Sequence, residues 1–224
     1  KTLTSLEVVR QSRFRRVIIV THRPVVGGGW QEDFYKIFRQ GEDPYNYSFE
    51  FKSNSANADD YDEHIDTAND MNLHNLDNNG CHFIYFASIQ DLRGSQRVSG
   101  KFDKNNAVFD LEWDLIIIDE AHRMGGSTSQ VSRYQLAETL CNAVPNVLLL
   151  SATPHRGKSD HFRRVLQLMD TDAFSGEGMP TIEEISPYVM RSEKRYAVDY
   201  NGKKLFQERE TIRLDVPLDN TVHH

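Results

Sequence analysis

Two adjacent carboxylates, Asp119 and Glu120, follow the apolar run at residues 115–118. An acid at the end of a buried strand is held rigidly and can bind Mg²⁺ directly or through water. Its neighbour can orient or deprotonate an attacking water molecule. This apolar-then-acidic pattern is the Walker B motif of ATPases. The alternative is a solvated acidic turn, because short patterns of this kind also occur without function.

Small hydroxyl residues follow a second apolar run, at residues 147–150. The hydroxyls of Ser151 and Thr153 can bond to neighbouring acids and sense the state of a bound phosphate. The alternative is a helix cap or a turn before Pro154. Lys1 and Thr2 begin the chain and precede a helix-like stretch, as in a phosphate-binding loop whose lysine contacts phosphates and whose hydroxyl binds Mg²⁺.

A third group follows the strand-like run "RVIIVT". Thr21, His22 and Arg23 stand at its end, where they can contact a phosphate backbone. Taken alone, these residues favour a solvated loop over a contact with nucleic acid. The three glycines at 27–29 lack a following Gly-Lys-Ser/Thr, so they are predicted to form a flexible loop before a helix and not a phosphate cradle.

The elements that must position these residues are strands alternating with helices. Each strand-like run is apolar along its whole length, which is typical of parallel strands covered on both faces. The predicted strands are residues 16–21, 82–88, 114–120 and 146–153, and the predicted helices are 2–11, 30–39, 130–142 and 159–169. This alternation predicts an α/β fold, and in a parallel sheet the functional crevice lies outside the carboxyl ends of the strands.

Two regions interrupt the alternation. Residues 41–80 are rich in Asn, Asp and Ser, so they are predicted to be a polar surface insertion, partly disordered or with one short helix. Residues 171–187 are predicted to be a loop, and strand-like runs flank an Asn-Gly turn at Asn201 and Gly202. The predicted domains are therefore residues 1–187 and a C-terminal extension at 188–224.

Composition excludes several classes of protein. The net charge of −7 argues against non-specific nucleic-acid binding over the whole surface, although a local basic face remains possible. Cys81 and Cys141 fit a reducing cytoplasm and provide neither a disulfide framework nor a zinc site. Apolar runs are too short to span a membrane. No Ser-His-Asp, Cys-His or nuclease signature is present.

The ordered series of motifs resembles the first RecA-like lobe of superfamily 2 helicases and translocases, which are P-loop NTPases. "DEAH" at 119–122 is similar to motif II of that superfamily, "SAT" at 151–153 to motif III and "THRP" at 21–24 to motif Ia. Lys1 and Thr2 resemble the end of motif I. The resemblance covers nearly the whole chain apart from residues 41–80.

Two subfamilies share the resemblance. The first half of the chain looks like the ATPase lobes of bacterial restriction-type helicases. The second half looks more like bacterial Swi/Snf-type translocases, including those of phage-defence systems. In the latter an Arg-Arg-x-Lys pattern leads out of the first lobe, and only its outer positions match here, as Arg191 and Lys194.

The resemblance implies ATP and Mg²⁺ as cofactors and assigns a role to each motif. Glu120 would be the general base, with Asp119 and Thr2 on the Mg²⁺ and Lys1 on the β- and γ-phosphates. His122, Ser151 and Thr153 would link the nucleotide to the rest of the motor. The residues that would face the nucleic-acid backbone are Thr21, His22, Arg23, Ser88, Gln90 and Arg93.

The implied function is ATP hydrolysis coupled to movement on duplex DNA, in restriction, phage defence or remodelling. The implied partners are duplex DNA, a second RecA-like lobe and restriction or defence subunits. Nothing after Thr153 repeats the strand–helix series, so the isolated chain is expected to be a feeble ATPase. Two alternatives stay open: a non-catalytic RecA-like module that binds DNA or protein, and an RNA helicase.

Overall fold

A five-stranded parallel sheet organises the chain, whose computed structural model describes residues 1–39, 41–52, 59, 61–126, 131–153, 159–191, 196–199 and 201–206. The strands are β1 (Arg16–Thr21), β2 (Ser48–Phe51), β3 (Phe83–Ser88), β4 (Leu115–Asp119) and β5 (Val147–Leu150). Their order is β2-β3-β1-β4-β5, and every neighbouring pair is parallel. The predicted parallel α/β sheet is therefore confirmed.

Helices connect the strands. The longer ones are α1 (Thr2–Ser12), α2 (Gly27–Ile37), α3 (Glu63–Asn78), α6 (Ser132–Asn142) and α7 (Ser159–Gln167). The shorter ones are α4 (Ile89–Leu92), α5 (Asn106–Asp110) and α8 (Ile182–Ile185), with 3₁₀ turns at Pro24–Val26, Gln96–Val98 and Ala121–Arg123. No helix in this described part of the chain is long and apolar enough to cross a membrane.

Alternate residues of β1 belong to different hydrophobic clusters, which shows that both faces of the sheet are covered. Val17 and Ile19 pack with residues of α1 and α2, whereas Ile18 and Val20 pack with residues of α3 and α6. This is the two-residue period of side chains along a strand. All four side chains are at most 1% exposed, which explains the unbroken apolar run in the sequence.

The predicted strands are found at slightly different bounds. The run at 16–21 is β1 in full, but the strand predicted at 146–153 ends at Leu150, before the hydroxyl residues. The prediction of a flexible loop at glycines 27–29 was wrong, because these residues form the first turn of α2. A Cβ at Gly27 would lie 3.0 Å from the Phe86 ring, so the helix begins close against β3.

The prediction for residues 41–80 was wrong in its main point. The region contributes the edge strand β2 and the 16-residue helix α3, and is not a surface excursion with at most one short helix. A few apolar residues anchor it: Phe49 packs against the Phe34 ring on α2, and Leu73 is fully buried in the core. The Asp62 side chain caps α3 by accepting hydrogen bonds from backbone amides. The few apolar residues that join the core are hard to recognise in a sequence that is mostly polar.

The chain divides into two compact units, residues 1–180 and 181–224, so the division precedes the boundary predicted at 187. The second unit begins with α8, whose N-terminus has a capping box formed by Thr181 and Glu184. An isolated antiparallel bridge joins Val198 to Lys204. Gly202 lies between them with a φ of 80°, as the predicted Asn-Gly turn requires.

Replacing Leu73 with Ala tests whether α3 is an integral part of the core. The side chain is 0% exposed, so we expect the free energy of unfolding to fall by about 2–5 kcal/mol. Met71 lies on the same helix but is 60% exposed, and Met71→Ala should change stability by less than about 0.5 kcal/mol. Urea denaturation measures both, and equal small effects would contradict this role for α3.

Candidate functional site

The register of the parallel strands brings the motifs to one edge of the sheet. Asp119 at the end of β4 pairs with Leu150 at the end of β5, so Ser151 is the next residue at that edge. Thr21 at the end of β1 pairs with Ser88 at the end of β3. Because all the strands are parallel, these carboxyl ends meet where the crevice of an α/β fold is expected.

A lysine joins the two carboxylates. The ammonium of Lys1 donates hydrogen bonds to Asp119 Oδ1, at 2.9 Å, and to Glu120 Oε1. Burial acts to lower the pKa of Lys1, but the hydrogen bonds and charges of the two acids outweigh it and leave this pKa raised. The lysine therefore carries its positive charge at neutral pH, directly on the acidic pair.

Glu120 has an unusual backbone. Its φ and ψ angles of 54° and 41° are left-handed, a conformation that disfavours residues with a Cβ. The Glu120 amide donates to Asp119 Oδ1 at 3.0 Å, which fixes the peptide between the two acids. The 3₁₀ turn Ala121–Arg123 follows immediately. Residues in such conformations concentrate at functional sites, where the surrounding structure holds them in place.

His122 connects the acids to the residues after β5. Its Nδ1 atom lies 2.8 Å from Ser151 Oγ and 3.4 Å from Glu120 Oε2. Ser151 Oγ also accepts a hydrogen bond of 3.1 Å from the backbone amide of Thr153. The imidazole side chain is 4% exposed, so it forms a buried link between neighbouring strand ends. Its tautomer decides which of the two atoms donates.

Thr2 is the first residue of α1 and is half-buried, next to Lys1. Helix N-termini favour anions because their first backbone amides have no partner within the helix. The described residues contain no group of three or more His, Cys, Asp or Glu side chains that could hold a metal. Mg²⁺ usually needs only one or two carboxylates, because phosphate and water oxygens complete its shell. The oxygen donors of Asp119 and Thr2 suit such an ion.

The residues after β1 form the first part of a neighbouring surface. Thr21 is buried, and its hydroxyl accepts a hydrogen bond of 3.4 Å from the amide of Arg23, whose own side chain is exposed. His22 Nδ1 is buried without a hydrogen-bond partner among the described residues. Burial is the main cause that lowers the pKa of His22, and the charges of Arg123 and Arg133 lower it further.

The residues after β3 form the second part of this surface. Ser88 is buried and caps α4 by accepting a hydrogen bond of 3.1 Å from the amide of Asp91. Gln90 Oε1 is buried and has no hydrogen-bond partner among the residues that the structure describes. The side chain of Arg93 is exposed. The exposed guanidinium groups of Arg23 and Arg93 are thus better placed for an external ligand than the buried hydroxyls.

Sequence reasoning missed a buried charged cluster behind α4. Lys52 Nζ donates to Asp66 at 2.7 Å and lies 2.9 Å from Asp91 Oδ2, and Lys104 Nζ donates to Asp91 at 2.9 Å. All four side chains are at most 7% exposed. The cluster ties the end of β2 and helix α3 to α4. Nothing in the sequence marks these residues, because buried and exposed lysines look alike.

A cavity of about 190 Å³ lies beside this cluster, at the carboxyl ends of β1, β2 and β3. Its walls include the aromatic rings of Phe51, Tyr85 and Phe86 and the polar side chains of Ser88, Lys52 and Asp91. The cavity therefore separates the segment after β1 from the cluster that holds α4.

Comparison with known proteins places the chain in a family. The model of the family described as "Type III restriction enzyme, res subunit" matches residues 1–156. RNA polymerase-associated protein RapA of Vibrio vulnificus is 40% identical over 123 residues, which cover 54% of this chain and 12% of RapA. RapA of Photobacterium profundum is 44% identical over 89 residues, which cover 39% of this chain and 8% of RapA.

A solved structure has a similar fold. The Sulfolobus solfataricus SWI2/SNF2 ATPase core, solved in complex with dsDNA, aligns with a TM-score of 0.57 and 16% identity. The alignment covers 87% of this chain and 38% of that one. The chain therefore spans about two fifths of that core, and the matches to RapA span about a tenth of those relatives.

Replacing Asp91 with Ala tests whether the buried cluster stabilises the site. Removal leaves two buried lysines without this carboxylate, so stability should fall by about 3–5 kcal/mol. Asp33 pairs with the exposed Lys36, and Asp33→Ala should cost less than about 1 kcal/mol. Thermal and urea unfolding measure both variants. Equal losses would show that the cluster contributes no more than a surface ion pair.

Proposed function

The chain belongs to the family of the type III restriction enzyme res subunit, and on that premise we propose that it hydrolyses ATP to drive movement on duplex DNA. It is a RecA-like lobe of a superfamily 2 helicase or translocase, and an ATP hydrolase of that type. The observation that carries the proposal is the contact of Lys1 with both Asp119 and Glu120. A phosphate-binding lysine and a Mg²⁺-binding acid must be neighbours to act on one nucleotide.

In the proposed site Lys1 moves from the carboxylates to the β- and γ-phosphates when nucleotide binds. Asp119 and the Thr2 hydroxyl would hold Mg²⁺, which would supply positive charge to stabilise the phosphates during the reaction. Glu120 is then released from the lysine and accepts a proton from the attacking water. The amide of Glu120 stays bonded to Asp119, so the base keeps its place relative to the metal-binding acid.

We propose that His122 and Ser151 report the nucleotide state to the rest of the protein. Their contact of 2.8 Å lies beside Glu120, whose Oε2 is 3.4 Å from the same imidazole nitrogen. A change in the position of Glu120 therefore alters the partners of His122. The change then reaches Thr153, whose backbone amide donates a hydrogen bond to Ser151 Oγ. This path leads from the nucleotide site to the segment after β5.

The proposed DNA surface contains the segments after β1 and β3. Arg23 and Arg93, whose side chains are exposed, contact the phosphate backbone directly, and His22 and Gln90 lie in the same two segments. The buried hydroxyls of Thr21 and Ser88 accept hydrogen bonds from backbone amides and fix the conformation of the two segments. Duplex DNA is favoured because the aligned SWI2/SNF2 core was solved with dsDNA and RapA is RNA polymerase-associated.

The similar proteins support a more specific biological role for this chain. We propose that a second RecA-like lobe completes the ATP site with an arginine, and that the protein acts in restriction, phage defence or remodelling. The family name supports a restriction role, and the likeness to RapA supports remodelling. Restriction or defence subunits are the proposed partners. The free thiols of Cys81 and Cys141 agree with a proposed cytoplasmic location.

Glu120→Gln in the full-length protein tests the proposed chemistry. The amide keeps the size of the side chain but cannot accept the proton, so DNA-stimulated ATP hydrolysis should fall by about 10²–10⁴-fold. Glu112→Gln, at an exposed glutamate before β4, is the control and should leave turnover unchanged. Stimulation by RNA alone would move the substrate to RNA. No hydrolysis under any condition would leave a non-catalytic RecA-like module.

The 224-residue chain by itself tests the need for a second lobe. Absence of an arginine from a nucleotide site lowers related reactions by about 10³–10⁵-fold, so the chain alone should be that much slower than the full-length protein. Steady-state ATP hydrolysis with duplex DNA compares the two. Rapid DNA-stimulated turnover by the chain alone would contradict the proposal.

A further inference from the structure

Arg164 on α7 bonds to the backbone that follows the DEAH residues. Its Nε donates to the carbonyl of Gly125 at 2.6 Å, and its Nη2 donates to the carbonyl of Gly126 at 2.7 Å. We infer that Arg164 is a positioning residue, which clamps the segment after Glu120 to α7 and keeps the base in place during turnover. The inference rests on the proposed ATPase function.

The approach of Gly125 to α7 is a second, independent observation. A Cβ at Gly125 would lie 2.4 Å from the carbonyl oxygen of His161 and 3.1 Å from Val165 Cγ2. The obstacle is helix backbone, so a larger residue cannot be accommodated by a side-chain rotation. The loop therefore lies directly on α7. Met124, the residue before it, is fully buried.

The guanidinium group suits this task better than an ammonium group. Its planar fork can donate to two consecutive carbonyls at once, whereas a lysine presents a single point charge on a flexible stem. Gly125 is buried, so its carbonyl needs a donor from the protein. Arg164 therefore fixes the orientation of two successive peptides and not only their distance from the helix.

The clamp joins the two motifs that respond to nucleotide. One partner is the segment that continues the 3₁₀ turn after Glu120, and the other is the first helix after Ser151. The His122–Ser151 contact is a second link between the segment after Glu120 and the segment after β5. A looser clamp lets Glu120 drift from the attacking water while the proposed contact of Lys1 with phosphate is unaffected. Turnover should suffer more than ATP affinity.

Arg163 offers a matched control on the same helix. It is 6% exposed and also donates to backbone carbonyls, those of Gly178 at 2.7 Å and Glu177 at 3.2 Å. Those carbonyls lie in the loop that leads out of the first unit and not in the DEAH segment. A general loss of stability from replacing a buried arginine should therefore appear in both variants.

The experiment compares Arg164→Lys with Arg163→Lys in the full-length protein. With duplex DNA present, Arg164→Lys should lower kcat about tenfold with little change in the KM for ATP, because a small misplacement of a catalytic group is costly. Arg163→Lys should leave both constants near wild type. Amide hydrogen exchange of residues 121–126 should be faster in Arg164→Lys only. Equal losses of kcat in the two variants, or normal turnover by Arg164→Lys, would overturn the inference.

A measurement on the wild-type protein needs no variant. Addition of Mg²⁺ and a non-hydrolysable ATP analogue should increase the exchange protection of residues 121–126 and of α7 together. Independent changes in the two segments would overturn the clamp. Wild-type protein that hydrolyses no ATP would overturn the proposed function, and with it the role of Arg164 in turnover. Normal wild-type hydrolysis with an unaffected Arg164→Lys variant would overturn the clamp alone.

Discussion

Parallel pairing of β1 with β3 and β4 is the constraint on which the site depends. Since all three strands run in the same direction, each ends at the same edge of the sheet, and the residues after them become neighbours. Close packing on both faces of β1 opposes a shift of this register, because a slip by one residue would move each side chain into the opposite cluster. The contact of Lys1 with Asp119 and Glu120 lies at that edge, and the parallel pairing of β4 with β5 brings His122 to Ser151 there.

Charged side chains fix the positions of the loops and turns, which lie outside the hydrogen-bonded strands of the sheet. Lys1 pairs with both acids at the end of β4, Lys52 and Lys104 surround Asp91 behind α4, and Arg164 binds the carbonyls after the DEAH residues. Each contact joins residues far apart in the chain. Buried charges are costly unless they are paired and hydrogen-bonded, so these contacts favour one arrangement of the loops over others. Rigid strands and loops fixed by charged side chains together hold the candidate catalytic groups in place.

The sequence predicted the sheet because its strands are unbroken apolar runs, and it predicted the grouping of the motifs because parallel strands share one edge. The edge strand β2 and helix α3 escaped prediction, since a polar stretch needs only Phe49, Leu73 and a few other apolar residues to join the core. Lys52 and Arg164 escaped it for a different reason. Their partners are distant in sequence, so no local pattern distinguishes them from exposed charges. The left-handed backbone of Glu120 also has no signal in its residue type.

A structure of the protein with Mg²⁺ and a non-hydrolysable ATP analogue would show whether Lys1 and the two acids act on one nucleotide. We expect the Lys1 ammonium to leave Asp119 and Glu120 for the phosphates, with the metal beside Asp119 and with Glu120 facing the γ-phosphate. The His122–Ser151 contact should then change partners or length. Nucleotide bound elsewhere, with the contacts of Lys1 to both acids unchanged, would contradict this expectation.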